Sequence, residues 1–394
     1  MRVSSQQGFN QSVRSILESQ SEVLKLQQQL SNGKRIQQPS DDPRAASQIQ
    51  DLNQALARND QFQRNGDLLT TRLQTEEASI ENATDTLQRA RELVLQANNA
   101  SQSASSREAL ANELALLSSE LMSIANQQDA SGRYLFSGLQ TDRPPFVSTA
   151  DGVAFVGDER QREILYGPGQ QMADGDSGAD IFTSRDTGDL SISLNAGNGG
   201  DMSVIASHGT PPFDVADGSV NLQFSGDQYE LRDSSGALLQ SGAWQSGEDI
   251  QIGDWSLSLR GVPEAGDRIE FSSASQQLVF DDLNALVASL NSGGENPADR
   301  ARLTQNLEQG LVSIDRVLGQ LSDTRSDVGN RLQQLETQQS VNADEALNLR
   351  ESLSNIEDID LTETISAFNA QLLYVQAAQS AFAKVQGLSL FQYL

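Results

Sequence analysis

Few residues of this chain could carry chemistry, and their spacing argues against catalysis. The single histidine, His208, lies in Ser207-His208-Gly209-Thr210-Pro211-Pro212, a turn-forming context. Serine and aspartate are plentiful, but no serine sits on a strand–turn–helix elbow where a histidine could activate it. A zinc peptidase needs two histidines on one helix face, and one histidine closes that option. The absence of cysteine excludes disulfides and thiolate metal sites. Asp174-Gly175-Asp176-Ser177-Gly178-Ala179-Asp180 spaces its carboxylates like a calcium loop, yet the twelfth position, where a bidentate glutamate belongs, is Arg185. The segment reads as a solvated acidic turn. Gly167-Pro168-Gly169 is followed by no Lys-Ser/Thr, so it is no phosphate loop. The expectation is a protein with no catalytic residue, no metal site and no cofactor.

Bulk properties point the same way. At 394 residues the chain exceeds what one core supports, so two or three domains are expected. Acids outnumber bases 54 to 27, a net charge of −27, which argues against nucleic acid because phosphate binding needs clustered cations. It also disfavours anionic membrane surfaces. Such chains repel one another at a distance, and any assembly must rest on short-range apolar contacts. No run approaches eighteen apolar residues. The opening Met1-Arg2-Val3-Ser4 lacks the apolar run of a cleaved secretory signal, so export, if it occurs, uses another route.

The elements read as helix, strand, then helix again: a mostly α protein, a long antiparallel helical bundle formed by both chain ends, with an inserted β-rich domain. Val13, Ile16, Leu17, Val23, Leu24 and Leu30 form one helical stripe, interrupted by Gln20 and Gln27, so this helix is weak alone. Asn32-Gly33 breaks it, and Asp42-Pro43 reads as an N-cap followed by proline in the first turn of the next helix. Leu110, Leu114, Leu117, Leu121 and Ile124 make a heptad seam, after a polar turn near 98–106. From about 138 to 275 the texture becomes alternating strands and Gly/Asp turns, with 22 acids against seven arginines between 141 and 275, as expected of a solvated outer domain. A second seam, Leu307, Leu311, Ile314, Leu318, Leu321, Val328, Leu332 and Leu335, is broken only by Arg325. The last helix carries Ile365, Phe368, Leu372, Val375 and Phe382. Seams on both sides of an insert pair most economically with each other, which leaves 1–40 and 361–394 to pair in turn. The expected domains are 1–42 plus 356–394 for assembly, 43–138 plus 276–355 as a helical rod, and 139–275 as the β-rich insert. Weak, partly apolar end helices suit assembly between molecules.

Five segments carry a family resemblance. Ser31-Asn32-Gly33-Lys34-Arg35-Ile36 with Asp41-Asp42-Pro43 resembles the N-terminal signature of the flagellin-like family, and Phe368-Asn369-Ala370-Gln371 to Lys384-Val385-Gln386 resembles its C-terminal one. Tyr134-Leu135-Phe136-Ser137-Gly138, the opening Met1-Arg2-Val3-Ser4 and the ending Phe391-Gln392-Tyr393-Leu394 resemble the family's hook–filament junction members more than flagellin itself. The resemblance implies a secreted structural subunit of the bacterial flagellum, a ring of copies that joins hook-associated protein 1 to flagellin. It also implies export unfolded by the flagellar type III route, a cytoplasmic chaperone on the C-terminal helix, and end segments that become helical on assembly. Under this reading the helical stripes are the assembly interface; Phe368 and Phe382 belong to the intrachain seam, and Phe391 and Tyr393 touch neighbours or the chaperone. Two alternatives stay open: a flagellin, and a secreted binding protein whose β insert is the working part.

Overall fold

The computed structural model describes residues 2–99, 102–150, 152–186, 189–195, 197–208, 211–213, 218–274, 276–292 and 296–391, with side chains for all of these except 2–6, 8, 205, 206 and 385–391. Contacts divide the chain into two compact units, 1–65 with 337–394, and 66–336.

The first unit contains α1 (Arg2–Asn32), the opening of α2 (Pro43–Ala97), the end of α6 (Pro297–Glu357) and α7 (Leu361–Phe391). The helix ends follow from local chemistry. Gly33 adopts a left-handed φ of 70° after the last turn of α1, where a side chain would be strained, and its N–H closes on the Gln29 carbonyl at 2.8 Å. Asp42 caps α2 by accepting from the N–H groups of Arg44 and Ala45, both at 3.1 Å, and Pro43 occupies the first helical position. Asp360 does the same for α7 through Thr362 and Glu363.

α1 and α7 pack along each other, with the Phe9 and Phe382 rings 5.3 Å apart. Their packing is thin. On α1 the half-buried apolar residues are Val13, Ile16, Val23, Leu26 and Leu30, while Leu17 and Leu24 stand 58% and 61% exposed. The stripe predicted as one thus divides across two faces of the helix, and Leu26 joins the paired face. On α7 Phe368, Leu372, Val375 and Phe382 are half-buried, and Ile365 is exposed. Tyr393 lies outside the described residues, as does the side chain of Phe391.

The second unit holds two cores. The first is helical: α2 from residue 66, α3 (Ala104–Ala125), α5 (Val279–Ser292) and α6 up to residue 336. Both predicted seams line it. Leu110, Leu114 and Leu121 are buried on α3, as are Leu307, Ile314, Leu321, Val328 and Leu335 on α6. The break at Arg325 is an ion pair, its guanidinium reaching Glu77 at 3.7 Å and Glu81 at 3.4 Å on α2. α2 contributes a seam that the sequence reading overlooked: Leu69, Leu73, Glu76, Ile80, Ala83, Leu87, Ala90, Val94 and Ala97, alternating four and three residues and buried throughout.

The β-rich insert divides between the two cores. Two hairpins, β1 (Phe146–Thr149) with β2 (Gly152–Phe155) and β3 (Glu163–Gly167) with β4 (Gln170–Ala173), and the short α4 (Gly178–Phe182) pack into the helical core. There Phe146, Phe182 and Phe280 meet with centroids 5.1 to 5.6 Å apart. A two-stranded neck, β5 (Thr183–Arg185) against β14 (Gln277–Leu278), brings both connections together. Beyond it, β6 (Leu190–Leu194), β7 (Ser203–His208), β8 (Val220–Ser225), β9 (Gln228–Arg232), β10 (Leu238–Ala243), β11 (Asp249–Ile252), β12 (Trp255–Arg260) and β13 (Arg268–Ser273) form antiparallel sheets ordered β10-β9-β8-β13-β6 and β11-β12-β7. Alternation in β8, β12 and β13 sends Phe224, Trp255 and Phe271 into a separate core.

Candidate assembly surface and its anchors

The motif residues at 32–43 form a clamp in the first unit. Gly33 turns the chain, and the next two residues pair with the α6–α7 connection. The Arg35 N–H donates to the Glu357 carbonyl at 2.6 Å, and the Ile359 N–H donates to the Gly33 carbonyl at 3.2 Å. Side chains tighten the crossing. Lys34 Nζ lies 2.6 Å from Glu357 Oε1, Arg35 Nη2 donates to the Ile356 carbonyl at 2.9 Å, and Gln29 Nε2 donates to the Arg35 carbonyl at 2.8 Å. Ile36 is buried beneath. Asp41 folds the following turn by accepting from the N–H groups of Gln38 and Gln37, and Lys25 reaches it at 3.2 Å. Those backbone donors, and then Lys25, hold the Asp41 carboxyl below its ordinary range. Asn32, Gly33, Arg35, Asp41, Asp42 and Pro43 therefore set where α1 ends, where α2 begins, and how the first connection meets the second.

With the clamp in place, the α1–α7 pair leaves apolar side chains in the open. Leu17 and Leu24 on α1 and Leu361, Ile365, Leu373 and Tyr374 on α7 are all exposed, the last two at 64% and 66%. Contiguous exposed apolar patches on a soluble protein commonly mark interaction sites. His208 is exposed on β7, its Nδ1 3.0 Å from its neighbour's carbonyl.

The second motif, Tyr134 to Gly138, organises the other unit. Leu135 N–H donates to the Gln127 carbonyl at 3.0 Å, the Phe136 carbonyl accepts from Gly178 at 2.9 Å, and the Ser137 carbonyl accepts from Asp158 at 3.0 Å. Leu135 and Phe136 are buried in the core, and Ser137 is buried with them. Gly138 has φ 62°, and a Cβ there would stand 1.9 Å from the Asp158 carbonyl oxygen, so no other residue fits.

This is where one expectation fails. The acidic run at 174–180 is not a solvated turn, because Asp174, Asp176 and Ser177 are buried against the helices. Asp174 pairs with Arg72 at 3.2 Å and with Arg162, and both Asp176 oxygens engage Arg331, at 2.8 and 3.0 Å. Arg72, only 5% exposed, also reaches Asp129 at 2.8 Å and the Tyr134 carbonyl at 3.2 Å. The local sequence shows only the acids; their partners lie about 12 to 155 residues away. The available signal was Glu76, a lone charge inside the apolar α2 seam.

Long helical ends flanking a β insert, with a clamp tying the two terminal connections, define a protein of flagellin-like architecture. The description bacterial flagellin N-terminal helical region matches residues 3–141, and bacterial flagellin C-terminal helical region matches residues 311–394. Flagellar hook-associated protein 3 of Salmonella typhimurium is 29% identical over 392 residues, covering 100% of this chain and 99% of that protein. The crystal structure of Xanthomonas campestris FlgL aligns with TM-score 0.71 and 30% identity over 77% of this chain and 99% of that one. Flagellar hook associated protein-3 of Legionella pneumophila aligns with TM-score 0.72 and 26% identity, over 78% and 98%. The chain belongs to the family of flagellar hook-associated protein 3, FlgL. It is a structural component of the bacterial flagellum and not an enzyme.

Proposed function

We propose that this chain is the adaptor of the hook–filament junction, a ring of copies seated on hook-associated protein 1 and capped by flagellin. The observation that carries this reading is the thin α1–α7 pair, which keeps Leu17, Leu24, Leu373 and Tyr374 exposed although its helices are long. In the proposed division of labour, 1–42 with 356–394 is the assembly domain, 43–138 with 276–355 the rod, and 139–275 the outer insert. An adaptor must present different surfaces above and below, so its contacts are heterologous. The stripe residues Val13, Ile16, Val23, Leu30, Phe368, Leu372, Val375 and Phe382 hold the pair together, while Leu17, Leu24 and Ile365 meet neighbouring subunits. Phe391 and Tyr393 are assigned to neighbours or to an export chaperone on the C-terminal helix. Export proceeds through the flagellar type III route.

The test is incorporation. Leu24→Asp and Leu373→Asp change exposed positions, so each variant is expected to match the parent in circular dichroism and melting. Each is also expected to fail to support filament growth in cells lacking the parent chain. Normal filaments from both variants would overturn the reading. Purified parent protein that polymerised without limit on its own seeds would favour a flagellin instead.

A further inference from the structure

Glu76 occupies a seam position of α2 between Leu73 and Ile80 and is 1% exposed. Its Oε1 accepts from the Asp176 N–H at 2.8 Å, which fastens the 174–178 segment to the helix. Its Oε2 is buried and has no hydrogen-bond partner among the described residues. The Gly175 backbone passes close over it, a Cβ there standing 3.6 Å from Oε2.

The charges around Glu76 are already matched without it. Arg72 from α2 pairs with Asp129 and Asp174, Arg162 from the β2–β3 connection pairs with Asp174, and Arg331 from α6 pairs with Asp176. Three guanidinium groups face three aspartates, and Glu76 is a fourth carboxyl. Of the other charged groups beside the cluster, Asp327 on α6, Asp180 and Glu159 are exposed to solvent and add negative charge, and Asp158, next to Ser177, is paired with Arg160 at 2.8 Å. A buried ion without a counterion is far costlier than a buried neutral acid.

We propose that Glu76 is a proton-dependent latch: protonated, it leaves the buried arginine–aspartate cluster neutral and fastens 174–178 to α2; ionised, it puts one unmatched negative charge at the centre and releases that segment. The adjoining motif at 134–138 moves with it, since Arg72 holds the Tyr134 carbonyl and Gly178 holds that of Phe136. Burial, followed by the neighbouring Asp176 charge, pushes the Glu76 carboxyl from its ordinary 4.5 up to about 8, against the pull of the Asp176 N–H, Arg331 and Arg72. A folded-state value above the unfolded one means the proton stabilises the fold. That contribution is complete below about pH 4.5 and is lost as pH rises through about 8.

The experiment is hydrogen exchange on the full chain at pH 6 and pH 9, corrected for intrinsic exchange and compared with Glu76→Gln. Protection at 174–178 in the parent is expected to fall at least about tenfold at pH 9, the equivalent of about one pKa unit of differential stability. Protection in Glu76→Gln should stay within about threefold, because the amide carries no charge to expose. Equal protection of the parent at both pH values, or an equal loss in Glu76→Gln, would overturn the proposal. Should the variant fail to fold, infrared spectroscopy of glutamate-labelled parent protein decides. A protonated carboxyl band at pH 7 that disappears by about pH 9.5 supports the latch, and no such band at pH 7 refutes it.

Discussion

The two units solve the helix-packing problem in opposite ways. In the 66–336 unit, leucine seams from α2, α3, α5 and α6 close on one another, and a second core forms between β sheets. In the unit made of 1–65 and 337–394, the buried apolar residues among those described are Ile36, Ala45 and Ala346. That unit has long helices but little to hide them against. Its geometry rests on backbone hydrogen bonds and two ion pairs at the clamp, and Leu17, Leu24, Leu361 and Leu373 remain exposed. The comparison teaches that helix length and burial are independent: α1 and α7 span 31 residues each, yet none of their described side chains is fully buried.

The comparison is broken most readily at the aromatic centre of the larger unit. Phe146→Ala removes a fully buried ring that contacts Phe155, Phe182 and Phe280, and is expected to cost about 3–5 kcal/mol in denaturant unfolding. A loss under about 1 kcal/mol would mean that this cluster is not a core. Next comes Gly138→Ala. The left-handed backbone and the clash with the Asp158 carbonyl make a cost of about 1–3 kcal/mol the expectation, seen as a lower melting temperature of the same unit. In the smaller unit Phe382→Ala should cost only about 1 kcal/mol, because the ring is half-buried and the ring it stacks near, Phe9, is itself exposed. Hydrogen exchange along α1 would report it, and a penalty matching that of Phe146→Ala would erase the contrast. Lys34→Ala is the mildest. Lys34 itself is half exposed and the backbone crossing stays, so a change under about 1 kcal/mol in melting is expected.

Several features were legible because they are local. The seams at 110–124 and 307–335 repeat at the helical period, and both line the helical core with buried or half-buried residues. Asp42-Pro43 and Asn32-Gly33 mark helix ends through capping chemistry that needs no partner. The strands at 190–194, 220–225 and 255–260 follow from alternation alone. Other features depended on residues far apart. The run from Asp174 to Asp180 resembles any acidic turn until Arg72, Arg162 and Arg331 arrive beside it. The α2 seam was hidden by alanines and by Glu76, which weaken its apolar period without breaking it. The role of Tyr134 to Gly138 was visible only as a resemblance, since the groups it bonds, at Gln127, Asp158 and Gly178, meet it only in the folded chain.

What the sequence determined by itself is the set of helices and strands, their caps, and the surplus of apolar stripes over apolar partners at the chain ends. Periodicity and capping act within a few residues, so they are written in order along the chain. The tertiary structure decided which carboxylates are buried, which leucines of α1 turn inward, and that the first connection grips the second at Glu357. Those outcomes depend on desolvation and on partners that meet only once the chain has folded, and no neighbour in sequence records them.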